Sequence, residues 1–431
     1  MKYGSFGSIH IRNPNQNNGL MWGVAMNTNN IFSQYVQKPS IFNDKRILSS
    51  SFIPGKIQHR DEEIQNIGSI IAPVLKGFNS NNIFIYGTCG TGKTICTKFV
   101  LAQLVDILGT HGKEVRPIYI NCKMKKVADT EYRLFAQLLR EVGETVPDTG
   151  LPTDVLYRKF FEKIDTKKQE VIIVLDEIDT LFRKIGDDFL YNLTRINSEL
   201  KNSHIMIIGI TNDTSFRDNL DMRVRSSLSE EEIIFKPYNA AQLKDILVER
   251  ASTGFHTGTV EDAAFSKCAA LAAQEHGDAR RALDLLRVAG EICDRTGDHI
   301  VMEKHVDMAE YKIDMDRIVE TVKSQPTQSQ AVLYAVIKLH EKAASHKSWT
   351  DRRTLTGDVF NTYNDICRRT GIKLLTQRRV SDLIAELDML GIITAKVISN
   401  GRYGRTREIC LAMNENAAEK VIVTLSDRFG V

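Results

Sequence analysis

A chain of 431 residues is roughly three times the usual size of one domain, so the sequence predicts two to four domains. With 42% hydrophobic and 26% charged residues, and no apolar run near the ~20 residues of a membrane span, the composition excludes a membrane protein. The formal charge of +3 identifies no partner, but residues 327–431 hold 16 Lys and Arg against 11 Asp and Glu, so the positive excess is C-terminal.

The cysteines and the N-terminus indicate a reducing compartment. The seven cysteines form no CxxC pair and have no clustered histidines nearby, which argues against a disulfide framework and a zinc site. The first residues, MKYGSFGSIHIRNPNQNNGL, lack the continuous apolar stretch of a secretory signal. We therefore expect reduced thiols, a cytoplasmic location and no membrane partner.

Organised sequence begins near residue 41. Residues 1–40 are rich in Asn, Gly and Ser without a sustained period, which predicts a mostly disordered tail. From about residue 83, the apolar runs IFIYG, PIYINC, EVIIVLDEID and HIMIIGITN alternate with helical patterns. Strands that are apolar almost throughout and are separated by helices indicate a parallel sheet covered on both faces. We assign residues 41–235 to this α/β domain.

The residue pattern of the remaining sequence changes at two points. Residues 236–325 are Ala-rich with helical spacing and without a convincing strand, which predicts a small helical domain. Pro326 lies in the polar stretch KSQPTQSQ and marks a boundary, since the residue before a proline is biased out of helix. Residues 326–431 then show three helical patterns and two strand-like runs around the turn signal Asn400-Gly401. Three helices and a hairpin predict a winged helix-turn-helix.

The sharpest chemical signal is GTCGTGKT, which follows the strand IFIY and opens a helix. Its glycines let successive N–H groups turn toward phosphates, the helix N-terminus adds positive charge, Lys93 would reach the outer phosphates and Thr94 would ligate Mg²⁺. A glycine-rich turn could match by chance, but the strand before and the helix after are the context that the motif demands. We assign ATP or ADP binding to Gly87, Thr88, Cys89, Gly90, Thr91, Gly92, Lys93, Thr94 and Ile95.

Acidic residues follow another buried strand. The run VIIVL ends in Asp176-Glu177-Ile178-Asp179, and acids at the carboxyl end of such a strand face the ligand crevice. We expect Asp176 to hold the metal, largely through its waters, and Glu177 to polarise the attacking water. The alternative is an acidic helix N-cap, a role that suits Asp179.

Three more polar groups fit a nucleotide site. Asn212, at the end of the strand from Ile205, could orient the water or sense the γ-phosphate, although Asn after a strand is usually a turn residue. Arg223 and Arg225 suit a phosphate of this chain or of a neighbouring subunit, with a solvated surface pair as the alternative. Arg280 begins a helix of the small domain, where a lid could close over nucleotide; an ordinary basic helix start is the alternative.

Taken in order, these segments resemble a known family. The phosphate loop, DEID, ITND, LDMRVRSSLSEEEIIF, KPYNAAQLKDILVER, HGDARRAL and a terminal winged helix resemble the AAA+ replication initiators of the archaeal origin-recognition (Orc/Cdc) type, from about residue 41 onward. The loop and the acids indicate only an ATPase, whereas the longer segments are specific to this family. The resemblance implies an α/β P-loop AAA+ ATPase base, an all-α lid and a C-terminal winged helix.

The resemblance also implies residue roles. His59 and Arg60 would lie beside the adenine, and Tyr238 with Arg250 would contact the nucleotide from the junction of base and lid. Asn212 would be the sensor of the base and Arg280 that of the lid. Arg223, with Arg225 as the alternative, would be the arginine finger that acts on a neighbour's nucleotide.

The winged helix carries the candidate DNA contacts. The third helix begins at Thr376, and its polar start would enter the major groove, as second helices of helix-turn-helix units do. The turn NGRYGRTR would reach phosphates or the minor groove, with a solvated basic hairpin as the alternative. The candidates are Gln377, Arg378, Arg379, Arg402, Tyr403, Arg405 and Arg407.

The function that follows is binding of double-stranded origin DNA in an ATP-controlled state, with slow hydrolysis as the reset. The resemblance implies a replicative helicase ring of the MCM type as partner, with paralogous initiators as further partners, and location at the nucleoid. Two other classes share parts of this pattern. One is a clamp-loader or branch-migration ATPase, which turns over ATP rapidly in a ring, and the other is a transcriptional regulator that uses ATP as a switch.

Overall fold

The computed structural model describes residues 40–111, 115–124, 128–147, 150–342, 352–399 and 405–429. The tail predicted to be disordered therefore lies outside the described residues, apart from Ser40. The residues from Ile41 onward form one compact unit. No helix among the described residues is long and apolar enough to cross a membrane.

A five-stranded sheet with the order β2-β3-β4-β1-β5 forms the base, and all of its ladders are parallel. All eight residues of β3 are buried, which explains the continuous apolar run in the sequence. This sheet confirms the predicted α/β class. The strands are β1 (Asn82–Tyr86), β2 (Val115–Asn121), β3 (Gln169–Asp176), β4 (Ser203–Thr211) and β5 (Glu230–Ile234).

Helices cover both faces of the sheet because alternate strand residues point to opposite sides. Ile172 and Val174 of β3 join one core, with the first two helices, and Val171 and Ile173 join the other, with the next four. The helices are α1 (Asp61–Ile71) and α2 (Lys93–His111) on the first face, and α3 (Glu131–Glu141), α4 (Thr153–Ile164), α5 (Ile178–Ile185) and α6 (Asp188–Arg195) on the second. A short helix, α7 (Met222–Leu228), precedes β5.

Strand β5 was not predicted. Its sequence EEEII carries three consecutive glutamates, and a strand with one buried position shows no apolar run. The strand lies at the sheet edge beside β1, where Ile233 reaches the core, Glu231 and Glu232 are exposed and the side chain of Glu230 is buried. Arg217 Nε lies 2.8 Å from Glu230 Oε1 and offsets part of the negative charge.

The lid is a helical layer with a core of its own. A segment that precedes the base in sequence belongs to this layer: Phe42 stacks on Phe255 with ring centroids 4.6 Å apart, and Leu48 is fully buried. The predicted limit at residue 41 did not anticipate this packing. The helices are α8 (Ala240–Gly254), α9 (Asp262–Gln274), α10 (Ala279–Thr296) and α11 (Glu303–Ser324).

Helix α11 connects the lid to the winged helix. Val306 and Ala309 lie in the lid core, whereas Met315 and Val322 lie in the next core along the chain. Pro326 stands between the end of α11 at Ser324 and the start of the following helix, α12 (Thr327–Lys342). A single rigid helix therefore belongs to both layers.

The winged helix has the predicted order of helices and strands, with two additions, the short strand β6 (Thr354–Leu355) and a final helix. A final helix, α15, follows the hairpin, and its Val421, Leu425 and Phe429 pack into the core. Its sequence was not interpreted as helical. The elements are β6 (Thr354–Leu355), α13 (Thr356–Thr370), α14 (Gln377–Met389), β7 (Ile393–Ser399), β8 (Arg405–Leu411) and α15 (Glu415–Phe429), and the strands pair in the order β6-β8-β7.

The docking of the N-terminal segment on the lid can be tested at Gly290 in α10. A Cβ at this position would lie 2.6 Å from Phe42 Cζ and 2.8 Å from Phe255 Cε1, so the stacked rings would have to separate. We expect Gly290→Ala to lower the free energy of unfolding by about 1–3 kcal/mol, measured by chemical denaturation.

Gly68→Ala is the matched control, because Gly68 lies in helix α1 with nothing within 4 Å of its added Cβ. There the usual preference of helices for Ala should raise the free energy of unfolding by roughly 0.5–1 kcal/mol. Equal stabilisation by both substitutions would show that the Phe42–Phe255 stack is not tightly packed against α10.

Candidate functional site

A cavity of about 320 Å³ lies between the carboxyl ends of the sheet strands and the lid. Strands β3, β4 and β1 are neighbours in the sheet, so their carboxyl ends meet at one place, as expected for a ligand crevice in an open parallel sheet. The predicted site residues that line it are Cys89, Gly90, Thr91, Gly92, Lys93, Thr94, Ile95, Asp176, Glu177, Asn212, Tyr238, Arg250 and Arg280.

The phosphate loop connects β1 to α2 and depends on its glycines. Gly87, Gly90 and Gly92 have φ values of 151°, 72° and 94°, a region that side chains with a Cβ rarely adopt. A Cβ on Gly87 would also lie 2.5 Å from the carbonyl oxygen of Phe235. The loop therefore has the backbone freedom and the helix N-terminus that phosphate binding requires.

Lys93 is buried at the start of α2. Its Nζ donates to the carbonyl oxygens of Gly87 and Thr88, at 2.8 and 2.7 Å, and to Asn212 Oδ1 at 2.9 Å. Burial lowers the pKa of Lys93 to about 8, and the nearby charge of Asp176 opposes that shift. The three acceptors bonded to Lys93 are uncharged oxygens, so a bound phosphate would supply the negative charge that none of them carries.

Asp176 ends β3 and is 5% exposed. Its Oδ2 accepts hydrogen bonds from Thr94 Oγ1 at 2.8 Å and from Tyr119 Oη at 2.5 Å. Burial raises the pKa of Tyr119, so this hydroxyl keeps its proton and donates. Tyr119 was missed in the sequence because a tyrosine within this strand belongs to no nucleotide motif.

The donor set fits Mg²⁺. A threonine hydroxyl and a carboxylate are hard oxygen ligands, which Mg²⁺ prefers, and it commonly takes one or two protein oxygens with waters and substrate phosphates. Within the described residues, no group of three or more His, Cys, Asp and Glu side chains could hold a metal ion. Thr94 and Asp176 would therefore hold the ion together with nucleotide phosphates.

Glu177 follows Asp176 with left-handed backbone, at φ 56° and ψ 47°, and occupies the N-cap position of α5. Lys123 Nζ lies 3.4 Å from its Oε2. Asp179, which had been considered as the N-cap, instead lies in the first turn of α5, where its Oδ1 accepts a hydrogen bond from Thr211 Oγ1 at 3.1 Å. The N-cap alternative for Asp179 is therefore wrong.

The lid docks directly on the phosphate loop. Asp278 caps α10, because its Oδ1 accepts a hydrogen bond from the backbone N–H of Arg280 at 2.7 Å. The backbone N–H of Ala279, the first residue of α10, donates to Gly90 O at 3.2 Å. A Cβ on Gly90 would lie 1.6 Å from Asp278 Oδ1. The Arg280 guanidinium stands at the cavity, with Nη1 3.6 Å from Cys89 Sγ. The contact leaves no room for any side chain at Gly90.

His59 and Arg60 do not line the cavity. His59 Nε2 lies 2.9 Å from Asp245 Oδ2. Arg60 is 4% exposed, stacks 3.9 Å over the Tyr238 ring and donates to Lys236 O at 2.6 Å. The structure thus places Arg60 behind Tyr238. Part of the cavity wall that sequence reasoning missed is apolar, because apolar residues carry no chemical signature; this part includes Ile53, Pro54, Ile57, Ile246 and Leu283.

Arg250 lines the cavity but is engaged elsewhere. Its guanidinium donates to the carbonyl oxygens of Ile47 and Phe52, at 3.3 and 3.2 Å, and burial lowers its pKa. Arg250 therefore holds the segment from Ile47 to Phe52 in place beside the cavity.

Neither candidate arginine finger reaches this cavity within one chain. Arg223 is exposed on α7, and its Nε lies 3.1 Å from Asp221 Oδ1. Arg225 is half-buried, with an Nε that has no hydrogen-bond partner among the described residues. A role of either arginine at this site would require a second copy of the chain.

The candidate DNA contacts fall into three groups. Gln377, Arg378 and Arg379 are exposed in the first turn of α14, where Arg379 Nη1 lies 3.5 Å from Glu386 Oε1. Arg405 is exposed at the start of β8, but Arg407 Nη1 donates to the carbonyl oxygen of Ser381 and, at 3.0 Å, to its hydroxyl. Arg402 and Tyr403 lie outside the described residues.

Other exposed cations of the winged helix were missed. They have no ion pair among the described residues, and the C-terminal charge excess was the available signal for them. They include Arg368, Arg369, Lys373 and Lys396.

Comparison with known proteins gives consistent matches along the chain. An AAA domain family model matches residues 76–214, a Cdc6 AAA+ ATPase-type lid domain matches 244–311, and a CDC6 C-terminal winged helix domain matches 320–421. The ORC1-type DNA replication protein of Thermococcus onnurineus is 50% identical over 385 residues, covering 88% of this chain and 90% of that protein. That of Pyrococcus abyssi is 49% identical over 393 residues, covering 90% and 91%.

A solved structure of the Aeropyrum pernix ORC1 protein in complex with DNA is also similar. It is 39% identical, with a TM-score of 0.76, and the match covers 90% of this chain and 98% of that one. The base, lid and winged helix described above therefore occur together in a known arrangement.

Contact between lid and loop can be tested with Gly90→Ala. We expect the added methyl group to displace Asp278 and so to weaken nucleotide binding, measured by equilibrium titration with a fluorescent ATP analogue, by about ten-fold or more. Gly143→Ala is the matched control, because Gly143 also has positive φ, 86°, but has nothing within 4 Å of an added Cβ. Nucleotide affinity of Gly90→Ala equal to that of Gly143→Ala would contradict the docked lid.

Proposed function

The chain belongs to the ORC1-type family of DNA replication proteins, which carry an AAA+ domain, and from this premise we propose that it is an ATP-controlled initiator that binds origin DNA. The observation that carries the proposal is that packed helices connect the cavity to the winged helix. Nucleotide in the cavity would lie against both the phosphate loop and α10, and α11, which packs on α10, extends into the winged-helix core.

In this proposal ATP acts as a clamp between base and lid. Lys93 and the loop amides hold the phosphates, Arg280 closes from the lid, and Thr94 and Asp176 hold Mg²⁺, which neutralises phosphate charge during transfer. Glu177 orients the attacking water and Asn212 fixes Lys93 and the γ-phosphate. Because nucleotide favours one arrangement of base and lid, it shifts the population of winged-helix positions on DNA. Slow hydrolysis resets this state.

DNA binding in the proposal uses the exposed start of α14 in the major groove and the basic hairpin beside it. Support comes from the exposed cations of the winged helix that form no ion pair among the described residues, and from the similar ORC1 protein, which was solved in complex with DNA. The bound initiator would then recruit or load a replicative helicase ring of the MCM type. A neighbouring initiator copy or paralogue would place Arg223, or Arg225, at the nucleotide.

The division of labour in the nucleotide site is testable with two variants. Lys93→Ala should abolish nucleotide binding, because it removes the cation that meets the outer phosphates. Glu177→Gln should bind nucleotide normally and lose hydrolysis, because an amide does not polarise water. Binding is measured by titration and hydrolysis by phosphate release; equal loss of both activities in the two variants would contradict the assigned roles.

The DNA contacts are testable through salt dependence. Arg405→Ala should weaken binding to duplex DNA and reduce the slope of log affinity against log salt by about one, as expected for one lost phosphate contact. Arg407→Ala is the comparison variant: the Arg407 guanidinium is bonded to Ser381 of α14, so replacing it should reduce the slope less than replacing Arg405 does. A normal slope for Arg405→Ala would place β8 away from the DNA backbone.

A further inference from the structure

Tyr119 contacts the metal-binding carboxylate although no nucleotide motif contains it. It lies near the end of β2, opposite Val174 of β3, and is half-buried at the cavity. Its hydroxyl donates to Asp176 Oδ2 at 2.5 Å. The strand pairing fixes this geometry, because β2 and β3 run in parallel and end side by side at Asn121 and Asp176.

Both hydroxyl donors to Asp176 reach the same oxygen. Thr94 Oγ1 donates to Oδ2 at 2.8 Å, and Tyr119 donates to it from the side of β2. A carboxylate oxygen has two lone-pair positions, so these two donors saturate Oδ2 and fix the plane of the carboxylate. In the described part of the chain, Oδ1 receives neither hydroxyl and so remains available to a metal-bound water.

The position of the Tyr119 ring is fixed in turn by Lys98. The Lys98 ammonium lies 3.9 Å from the ring centroid, within the range of a cation–π interaction, and Lys98 also lines the cavity. Removing the hydroxyl alone would leave this ring contact in place. The hydroxyl bond and the packing of the ring can therefore be separated by experiment.

We propose that Tyr119 is a positioning residue for Mg²⁺, whose hydroxyl orients the Asp176 carboxylate so that Oδ1 faces the metal's water. Groups that hydrogen-bond metal ligands from behind strengthen metal binding by fixing the ligand's orientation. The inference rests on the proposed Mg²⁺–ATP function of the site. It makes Tyr119 important for metal affinity but not for nucleotide binding in the absence of metal.

The test uses Tyr119→Phe in the full chain, with Mn²⁺ as a spectroscopic substitute for Mg²⁺. Mn²⁺ binding to the protein–ATP complex is measured by electron paramagnetic resonance, and ATP binding is measured separately in excess EDTA. We expect Tyr119→Phe to weaken Mn²⁺ binding by roughly ten-fold and to leave metal-free ATP affinity unchanged. The same shift should appear in the Mg²⁺ concentration that gives half-maximal hydrolysis, with the maximal rate preserved.

Tyr157→Phe is the matched control. Tyr157 is half-buried in the same α/β domain, and its hydroxyl donates to Glu131 Oε1, a carboxylate that does not line the cavity. This variant removes an equivalent bond and should bind Mn²⁺ as the wild type does. Equal Mn²⁺ affinities for Tyr119→Phe and wild type would overturn the proposal, as would a parallel loss of metal-free ATP affinity in Tyr119→Phe.

Failure of the underlying function has a different signature. If the wild-type protein bound ATP without taking up Mn²⁺, or bound no ATP, both the proposed ATP chemistry and the role of Tyr119 would be wrong. If the wild type took up Mn²⁺ with ATP and Tyr119→Phe did so equally well, only the role of Tyr119 would be wrong.

Discussion

The contact between the phosphate loop and the start of α10 is the constraint on which the rest of the site depends. Asp278 caps α10 and lies so close to Gly90 that no side chain fits there, and Gly277, at φ 66°, packs against the backbone of Tyr238. These two glycines let base and lid approach until Lys93 and Arg280 border one cavity. Without that approach the two cations would belong to separate layers.

From this contact, a packed route leads to the winged helix. Arg281, next to Arg280, is largely buried and bonds Asp314 of α11 at 2.8 Å. Met315, the next residue of α11, is already part of the winged-helix core. A change in the position of α10 would therefore move a helix that also belongs to the winged-helix core. The route passes through side-chain packing and the Arg281–Asp314 ion pair, an arrangement that suits two alternative states better than gradual deformation.

The sequence predicts those parts of the fold and site that depend on local residue patterns, and it misses those that depend on tertiary packing. Buried strands and the phosphate loop are local patterns, so the sheet and the site around Lys93 and Asp176 followed from the sequence. Strand β5 lies at the sheet edge and has one buried residue, so its sequence shows no apolar run. Tyr119 meets Asp176 only because β2 and β3 pair in a particular register, which the sequence around Tyr119 does not reveal. The Arg60 side chain lies behind Tyr238 because of packing at the junction of base and lid, which a family resemblance does not specify. Domain limits and DNA contacts stay predictions.

The most direct test of ATP-controlled origin binding is genome-wide crosslinking of the protein to DNA in cells, with wild type and Lys93→Ala compared against mapped replication origins. The account predicts wild-type enrichment at one or a few repeat-bearing origins and loss or redistribution of that signal in Lys93→Ala. Scattered promoter peaks would contradict the initiator function and favour an ATP-switched regulator. Identical origin peaks for both proteins would contradict control by ATP.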